Sequence, residues 1–530
     1  MRRLQHPLGT AIPLAPESLP TMIASKYHTA LGCGLLLVVM SLGQALCKAP
    51  FLRIVELDLC RSYHGQRSPG SVPSDADLTE DRCKAIPVQK DLAMINAYNM
   101  AVSSIVEIMT AFPYAALCAR FSRRMILAAN VAGAVSTFTY YICIYIRRPA
   151  CFGPVSLANL RWWRWRSVER RQRLDRREPA RGTSVPYPFR HGVVQIWLTE
   201  RRRSKVLFLL NAMRLIVNAV GQMVGARLMQ DNLWAPALLG LAMHCLAVPA
   251  LCLIADPPEP KQGSRTTDGG FEDATDPLLA HASGGTKENQ ELPVWEQIWA
   301  SITTAGRRVS VLFLEPTTAM ALAIVFLNEL GHGVNNIVQQ WSSRSFDWTF
   351  AHTNYLMAGQ RLVAAMTLIG FSWSFHRLQR AGYASARLDI ALVTVCQWLT
   401  LLGMLGSAMS SLSTLEGMRV VVFICSILVY MMGWGMAGAL QSSVTRSIPK
   451  DRITMLYTGL NVADRMAGIV SGPMFAGLLM SGMQKGGRWT YLPFWVSAGL
   501  FVMVSVLTRQ ITRWLGAEMR EEDDETRLAP

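Results

Sequence analysis

Uncharged, mostly apolar runs of roughly 18 or more residues recur along this chain, each long enough to cross the ~30 Å hydrocarbon core of a bilayer as one helix. Short polar connections separate them. A closed barrel is the only other spanning structure, and these runs lack the period-2 alternation of barrel strands. Charged residues make up 17% of the 530, against 51% hydrophobic, too few to wet the surface of a soluble protein this long. The sequence predicts an all-α polytopic membrane protein.

Eleven clear spans are expected, over about residues 29–50, 92–117, 125–146, 206–228, 233–254, 314–338, 353–375, 387–409, 418–440, 455–481 and 490–511. The connections sort by charge. Arg120, Arg123 and Arg124 follow the second span, Arg201–Arg203 precede the fourth clear one, and Arg377, Arg380 and Arg387 join the seventh and eighth. The bias of Lys and Arg toward the cytoplasm puts these loops and both termini there. The same bias accounts for the net charge of +16, so no nucleic-acid partner is expected. No apolar core precedes about Thr29, and no cleaved signal peptide is expected.

The expected organisation is a cytoplasmic tail at 1–28, an N-terminal bundle at 29–255, a cytoplasmic linker at 256–310, a C-terminal bundle at 311–512 and an acidic cytoplasmic tail at 513–530. The linker is rich in Pro, Gly, Asp, Glu and Thr, and Trp295–Ala305 reads as a short surface helix. An internal repeat supports two halves. At an offset of 247 positions Gly221 and Gly225 fall on Gly468 and Gly472, with basic entries aligned before them. Small residues four apart let helices approach closely in lipid.

Two equal halves need twelve spans, and the fourth is disrupted. In its place, residues 147–205 hold fifteen arginines, among them Arg161-Trp162-Trp163-Arg164-Trp165-Arg166. One reading is a basic surface segment on anionic lipid. The preferred reading is translation out of frame, since a one-nucleotide shift of such codons gives mostly glycine.

These features resemble the major facilitator superfamily, particularly permeases of filamentous fungi. Ala115–Arg124 is similar to the superfamily's loop after the second helix but lacks its glycines and aspartate, and Gly468-Ile469-Val470-Ser471-Gly472-Pro473 resembles its Gly-x-x-x-Gly-Pro motif. The resemblance implies two pseudo-repeated six-helix bundles and a gating role for Arg120, Arg123, Arg124, Gly468, Gly472 and Pro473. Cys60 and Cys83 flank the polar segment after the first span and would pair on an oxidising side; their arrangement is similar to that of the proton-coupled folate transporter branch. The cysteines inside apolar runs read as packing residues.

Ionisable residues within spans are costly and face a cavity or a partner. Glu329 and His332 share one helical face with Asn336 and are the first candidates for proton handling, followed by Glu107 and Asp464. Arg214, Asn218, Gln222, Asn336, Arg361 and Asn461 are candidate substrate ligands, with Arg214 and Arg361 also candidate partners for Glu107. Asp464 and Arg465 point about 100° apart on a helix and are each expected to need a separate partner. Interhelical hydrogen bonding alone would explain the Asn and Gln residues equally well.

No Walker loop, metal-ligand spacing or catalytic cluster occurs, so neither an enzyme, a metal nor a cofactor is expected. The leading reading is a proton-driven, monomeric exporter of a drug or secondary metabolite in the cell membrane, with the vacuolar membrane as the other location. Its partners would be a small-molecule substrate, protons and membrane lipids. Nutrient or cofactor uptake and a transport-inactive sensor are the alternatives.

Overall fold

The computed structural model describes residues 18–67, 80–120, 123–146, 200–252, 315–446 and 453–528. The expected linker, the surface helix at Trp295–Ala305 and the Arg-rich stretch up to residue 199 lie outside the described residues.

The described residues are helical throughout. The N-terminal half holds α1 (Ser18–Arg67), the short α2 (Glu80–Cys83), α3 (Ile86–Arg120), α4 (Arg123–Ile146), α5 (Glu200–Asp231) and α6 (Ala235–Cys252). The C-terminal half holds α7 (Pro316–His332), α8 (Asn335–Ser345), α9 (Phe350–Arg380), α10 (Ser385–Met409), α11 (Glu416–Met432), α12 (Met436–Arg446), α13 (Ile453–Lys485) and α14 (Leu492–Leu528). Among them, eight helical stretches are long and apolar enough to cross a membrane, and Leu127–Ser136 and Ala235–Leu251 are shorter apolar helices. At 31 residues α9 has the length, but its polar residues keep it out of that set.

Two expected spans are broken midway. Pro316–Ser345 loosens at Gly333–Val334, and Glu416–Thr445 passes through a 3₁₀ turn at Gly433–Gly435. Packing explains both glycines. A Cβ at Gly333 would collide with Ser471 of α13, and one at Gly433 with Thr400 of α10. Irregular backbone at membrane depth is tolerated only where protein covers it or a cavity takes it up.

The first span is longer than the sequence suggested. Expected to end near residue 50, α1 runs on to Arg67, carrying Arg53 and Glu56 inside the fold with the Glu56 side chain fully buried. In the C-terminal half, fully buried Trp341 anchors the core. Its ring meets Phe346, Phe423, Tyr491 and Phe494, and its Nε1 donates to the carbonyl of Thr490 at 2.7 Å.

The halves meet along two seams, α3 against α13 and α5 against α9. The paired glycines behave differently in each. Added Cβ atoms at Gly221 and Gly225 would press mainly on Leu42, Ala45 and Leu46 of α1, in their own half, with Asn354 of α9 also within 3.8 Å of the one at Gly225. At Gly468 and Gly472 they would meet Ser104 and the Ala97 carbonyl of α3, across the interface. The repeat therefore places its small residues at equivalent positions but turns them to different neighbours.

Candidate functional site

The two seams carry most of the polar residues singled out above. Arg465 on α13 donates to Glu107 on α3 at 2.6 Å and also holds Asp464, its chain neighbour, at 2.9 Å. Glu107 is thus paired with Arg465, and Asp464 and Arg465, each expected to need a separate partner, also pair with one another. Their Cα–Cβ bonds do diverge, but the long arginine side chain curls back far enough to serve both carboxylates.

Glu329 on α7 completes the cluster. Asn328 donates to it at 3.2 Å, and its carboxyl lies within hydrogen-bonding reach of Asp464 and in the field of Arg465. Of three candidate proton carriers, Glu107 and Asp464 therefore bind one guanidinium, and Glu329 adjoins it through Asp464. Three carboxylates and one cation sum to −2 if all are ionised. Carboxyls that share a site do not both stay charged at low cost, so this cluster is chemically suited to take up and release a proton.

The fourth candidate, His332, turns elsewhere. Its Nδ1 is hydrogen-bonded to the Tyr430 hydroxyl, which also accepts from Asn335 at 2.7 Å. Trp434 and Phe501 close over the imidazole with ring centroids 5.2 Å away. Tyr430 and Trp434 sit at the break between α11 and α12, and His332 and Asn335 at the break between α7 and α8. The two interruptions thus face each other. Arg361 of α9 extends over the Trp434 ring, 5.6 Å from its centroid.

The remaining candidates divide between the two seams and exposed positions. Gln222 is buried, and its carbonyl accepts from Asn354 of α9 at 2.9 Å, tying α5 to α9. Arg214 and Asn218 are half-buried on the same helix. Asn336 lies in the other seam, where its carbonyl accepts from Asn96 of α3 at 3.3 Å. Asn461 is exposed one turn before Asp464, and Pro473 is exposed within α13. Arg120, Arg123 and Arg124 close α3 and open α4, and their side chains lie outside the described residues.

One end of the interface is closed by a polar seal. Cys60 and Cys83 are joined by a disulfide, fixing α2 to α1. The buried Gln89 amide donates to Glu56 at 2.5 Å and to the Cys83 carbonyl at 3.1 Å, while Glu56 also pairs with Arg53. From the other half, Gln340 donates to the side-chain and backbone oxygens of Gln89 at 2.9 and 2.6 Å. Arg344 donates to the Lys84 carbonyl, and the Phe350 amide donates to Glu80, each at 2.6 Å.

Arg53, Glu56 and Tyr430, all buried and hydrogen-bonded, and Lys48 are polar positions that the sequence reading did not single out. Lys48 and Arg53 straddle the expected end of the first span and read as flanking charges. The pair Arg53 and Glu56, spaced i,i+3 among apolar residues, was the available signal that the helix continues.

Compared with models of known protein families, the chain matches none. It is 24% identical over 509 residues to the MFS efflux pump atnC of Emericella nidulans, which covers 93% of this chain and 90% of that protein. It is 22% identical over 510 residues to the MFS transporter SAT21 of Stachybotrys chartarum, covering 92% and 98%. Among solved structures it is similar to the human organic anion transporter MFSD10 (TETRAN), with a TM-score of 0.51 at 12% identity over 91% of this chain and 99% of that one. The xylose transporter XylE from E. coli, in a partially occluded inward-open conformation, gives 0.50 at 13% identity over 92% and 98%. The chain has the major facilitator fold. A multi-pass membrane protein is what that fold and the eight apolar helices describe, and the relatives and structural neighbours named are transporters.

Proposed function

We propose that this protein is a proton-coupled transporter that exports a small organic solute, a secondary metabolite or drug, across the cell membrane by alternating access. The observation that carries the reading is the cluster of Glu107, Glu329 and Asp464 around Arg465, built by three helices from both halves. A proton taken up there changes the charge that holds α3, α7 and α13 together, so protonation and the relative position of the halves become linked. The names of atnC and of a second relative, the efflux pump ustT of Aspergillus flavus, favour export over uptake.

The sealed face bears the disulfide, and disulfides persist on oxidising sides. The faces where α9 and α12 end, and where α4 begins, are the basic ones. We therefore assign the seal to the outside and the opposite end to the cytoplasm, with eleven spans in the sequence and one protomer as the working unit.

The test is flux in proteoliposomes with an imposed pH gradient. Gradient-driven movement of cargo is expected in the wild type and lost in Glu329→Gln, while exchange without a gradient persists. Gradient-driven transport that survived in Glu329→Gln would overturn the coupling assignment.

A further inference from the structure

The seams between the halves are built by α3, α5, α9 and α13, whereas α14 packs on α7 and α10. A recess opens on its outer side. Among the described residues it is lined by Val506, Arg509, Gln510, Arg513 and Trp514 and encloses about 440 Å³.

Helix length sets its depth. α14 begins at Leu492, directly after the turn whose Thr490 carbonyl accepts from Trp341 beside the sealed face. At 1.5 Å per residue, Arg509 lies about 26 Å and Arg513 about 32 Å along the helix, at the far edge of a ~30 Å hydrocarbon core. On the orientation proposed above, that edge borders the cytoplasmic leaflet, where anionic lipids reside.

Both arginines are exposed, and among the described residues neither side chain has a carboxylate partner. Arg509 is nevertheless held in place, its guanidinium 5.0 Å from the centroid of the Trp398 ring on α10. Stacking orients the planar fork, which suits it to two oxygens of one phosphate. Arg513, one turn on, adds a second fork on the same helix face.

The neighbourhood is apolar in one direction only. The Gln397 amide ties α10 to α14 through the Phe501 carbonyl at 2.9 Å and the Ser505 hydroxyl at 3.1 Å. Toward mid-membrane from the arginines, Val502 and Val506 of α14 and Val395 and Leu402 of α10 are exposed beside that joint. A ligand with an anionic head at the membrane edge and a hydrocarbon tail matches both parts; a soluble anion uses only the first.

We propose that this recess is a binding site for an anionic phospholipid. Arg509 and Arg513 hold the headgroup phosphate, Gln510 offers an amide donor, and an acyl chain runs along α10 and α14. The site goes beyond the transport reading, because both helices lie in the C-terminal half and outside the acidic cluster.

The test is native mass spectrometry of the purified full-length protein with dioleoyl phosphatidylglycerol, dioleoyl phosphatidylcholine and glycerol 3-phosphate as probes. Phosphatidylglycerol is expected to bind more tightly than phosphatidylcholine, and glycerol 3-phosphate should not displace it. Affinity should fall at least about tenfold in Arg509→Gln/Arg513→Gln. It should fall several-fold in Arg509→Lys/Arg513→Lys, which keeps the charge but not the forks, and in Trp398→Leu. On the unmodified protein, phosphatidylglycerol with a photoactivatable acyl chain should label α10 and α14, a measurement that stands even if a variant fails to fold.

Equal affinity for the two lipids, wild-type affinity in the glutamine or the lysine double variant, or labelling confined to other helices would overturn the site. Displacement by glycerol 3-phosphate would overturn the lipid as its occupant.

Discussion

Arg465 on α13 holds Glu107 on α3 at 2.6 Å, and this ion pair joins the two halves of the chain. The Arg465 side chain is 38% exposed and that of Glu107 13%, so water screens the contact from one side only. A double-mutant cycle with Glu107→Gln and Arg465→Gln is expected to give a coupling energy of about 1 kcal/mol, after allowance for that screening. Thermal unfolding in detergent measures it. A coupling indistinguishable from zero would mean that the pair does not tie the halves together.

The glycine seam gives a steric prediction. A Cβ at Gly472 would stand 2.9 Å from the Ala97 carbonyl oxygen, and backbone cannot move aside as a flexible side chain does. Gly472→Val is expected to destabilise the protein by about 1–3 kcal/mol and to slow transport, because α3 and α13 must separate. Gly359→Ala is the control. That glycine has open space around it, and the change should be neutral or slightly stabilising. Melting temperatures of the two variants, measured side by side, check the contrast.

Gln340 supplies two hydrogen bonds to Gln89, one to its side chain and one to its backbone. Net contributions near 1 kcal/mol each imply that Gln340→Ala raises the population open at the sealed face about thirtyfold. Asn336→Cys lies a turn deeper in the same seam. Its labelling by a membrane-impermeant maleimide from outside should rise by a similar factor when Gln340→Ala is added.

The bridge between Cys60 and Cys83 spans 23 positions. Loop-closure entropy for a ring of this size gives about 3 kcal/mol, so the Cys60→Ser/Cys83→Ser double variant should melt well below the wild type. Denatured, unreduced protein should leave both thiols unlabelled, and reductant should expose them.

A pH effect is expected at the same face. Lys84 donates to Asp81 at 2.9 Å and lies 3.6 Å from Asp347 of the other half. The Lys84 hydrogen bond holds the Asp81 carboxyl below its ordinary 3.8. A carboxyl depressed in the folded state adds stability above its unfolded value and loses it as pH falls through the folded value. The loss should therefore begin below about pH 4 and vanish in Asp81→Asn. Because Asp81 is fully exposed, the effect should be small; melting curves taken from pH 5 downward check it.

Much of this arrangement is legible in the sequence because the bilayer imposes length and composition together. Apolar runs locate the helices, and charges inside them mark Glu107, Glu329 and Asp464 as unusual. What periodicity cannot supply is the partner. His332 and Glu329 share a helix face only three residues apart, yet the imidazole bonds Tyr430 while the carboxyl faces Asp464, since different helices pack on either side. Lys48 escaped for a related reason: the apolar run thins out near residue 50, whereas the helix continues because Glu56, Arg53 and Gln89 satisfy one another inside it.

That last group bears on how the protein turns over. Arg53, Glu56 and Gln89 all belong to the N-terminal half, and among the described residues the amide of Gln340 crosses to them. When the sealed face opens, the bonds to this group that break are between neutral amides, which water can replace at little cost. The buried pair of Arg53 and Glu56 stays matched, and the charged contacts that are lost, Lys84 with Asp347 and Glu80 with the Phe350 amide, lie outside that pair.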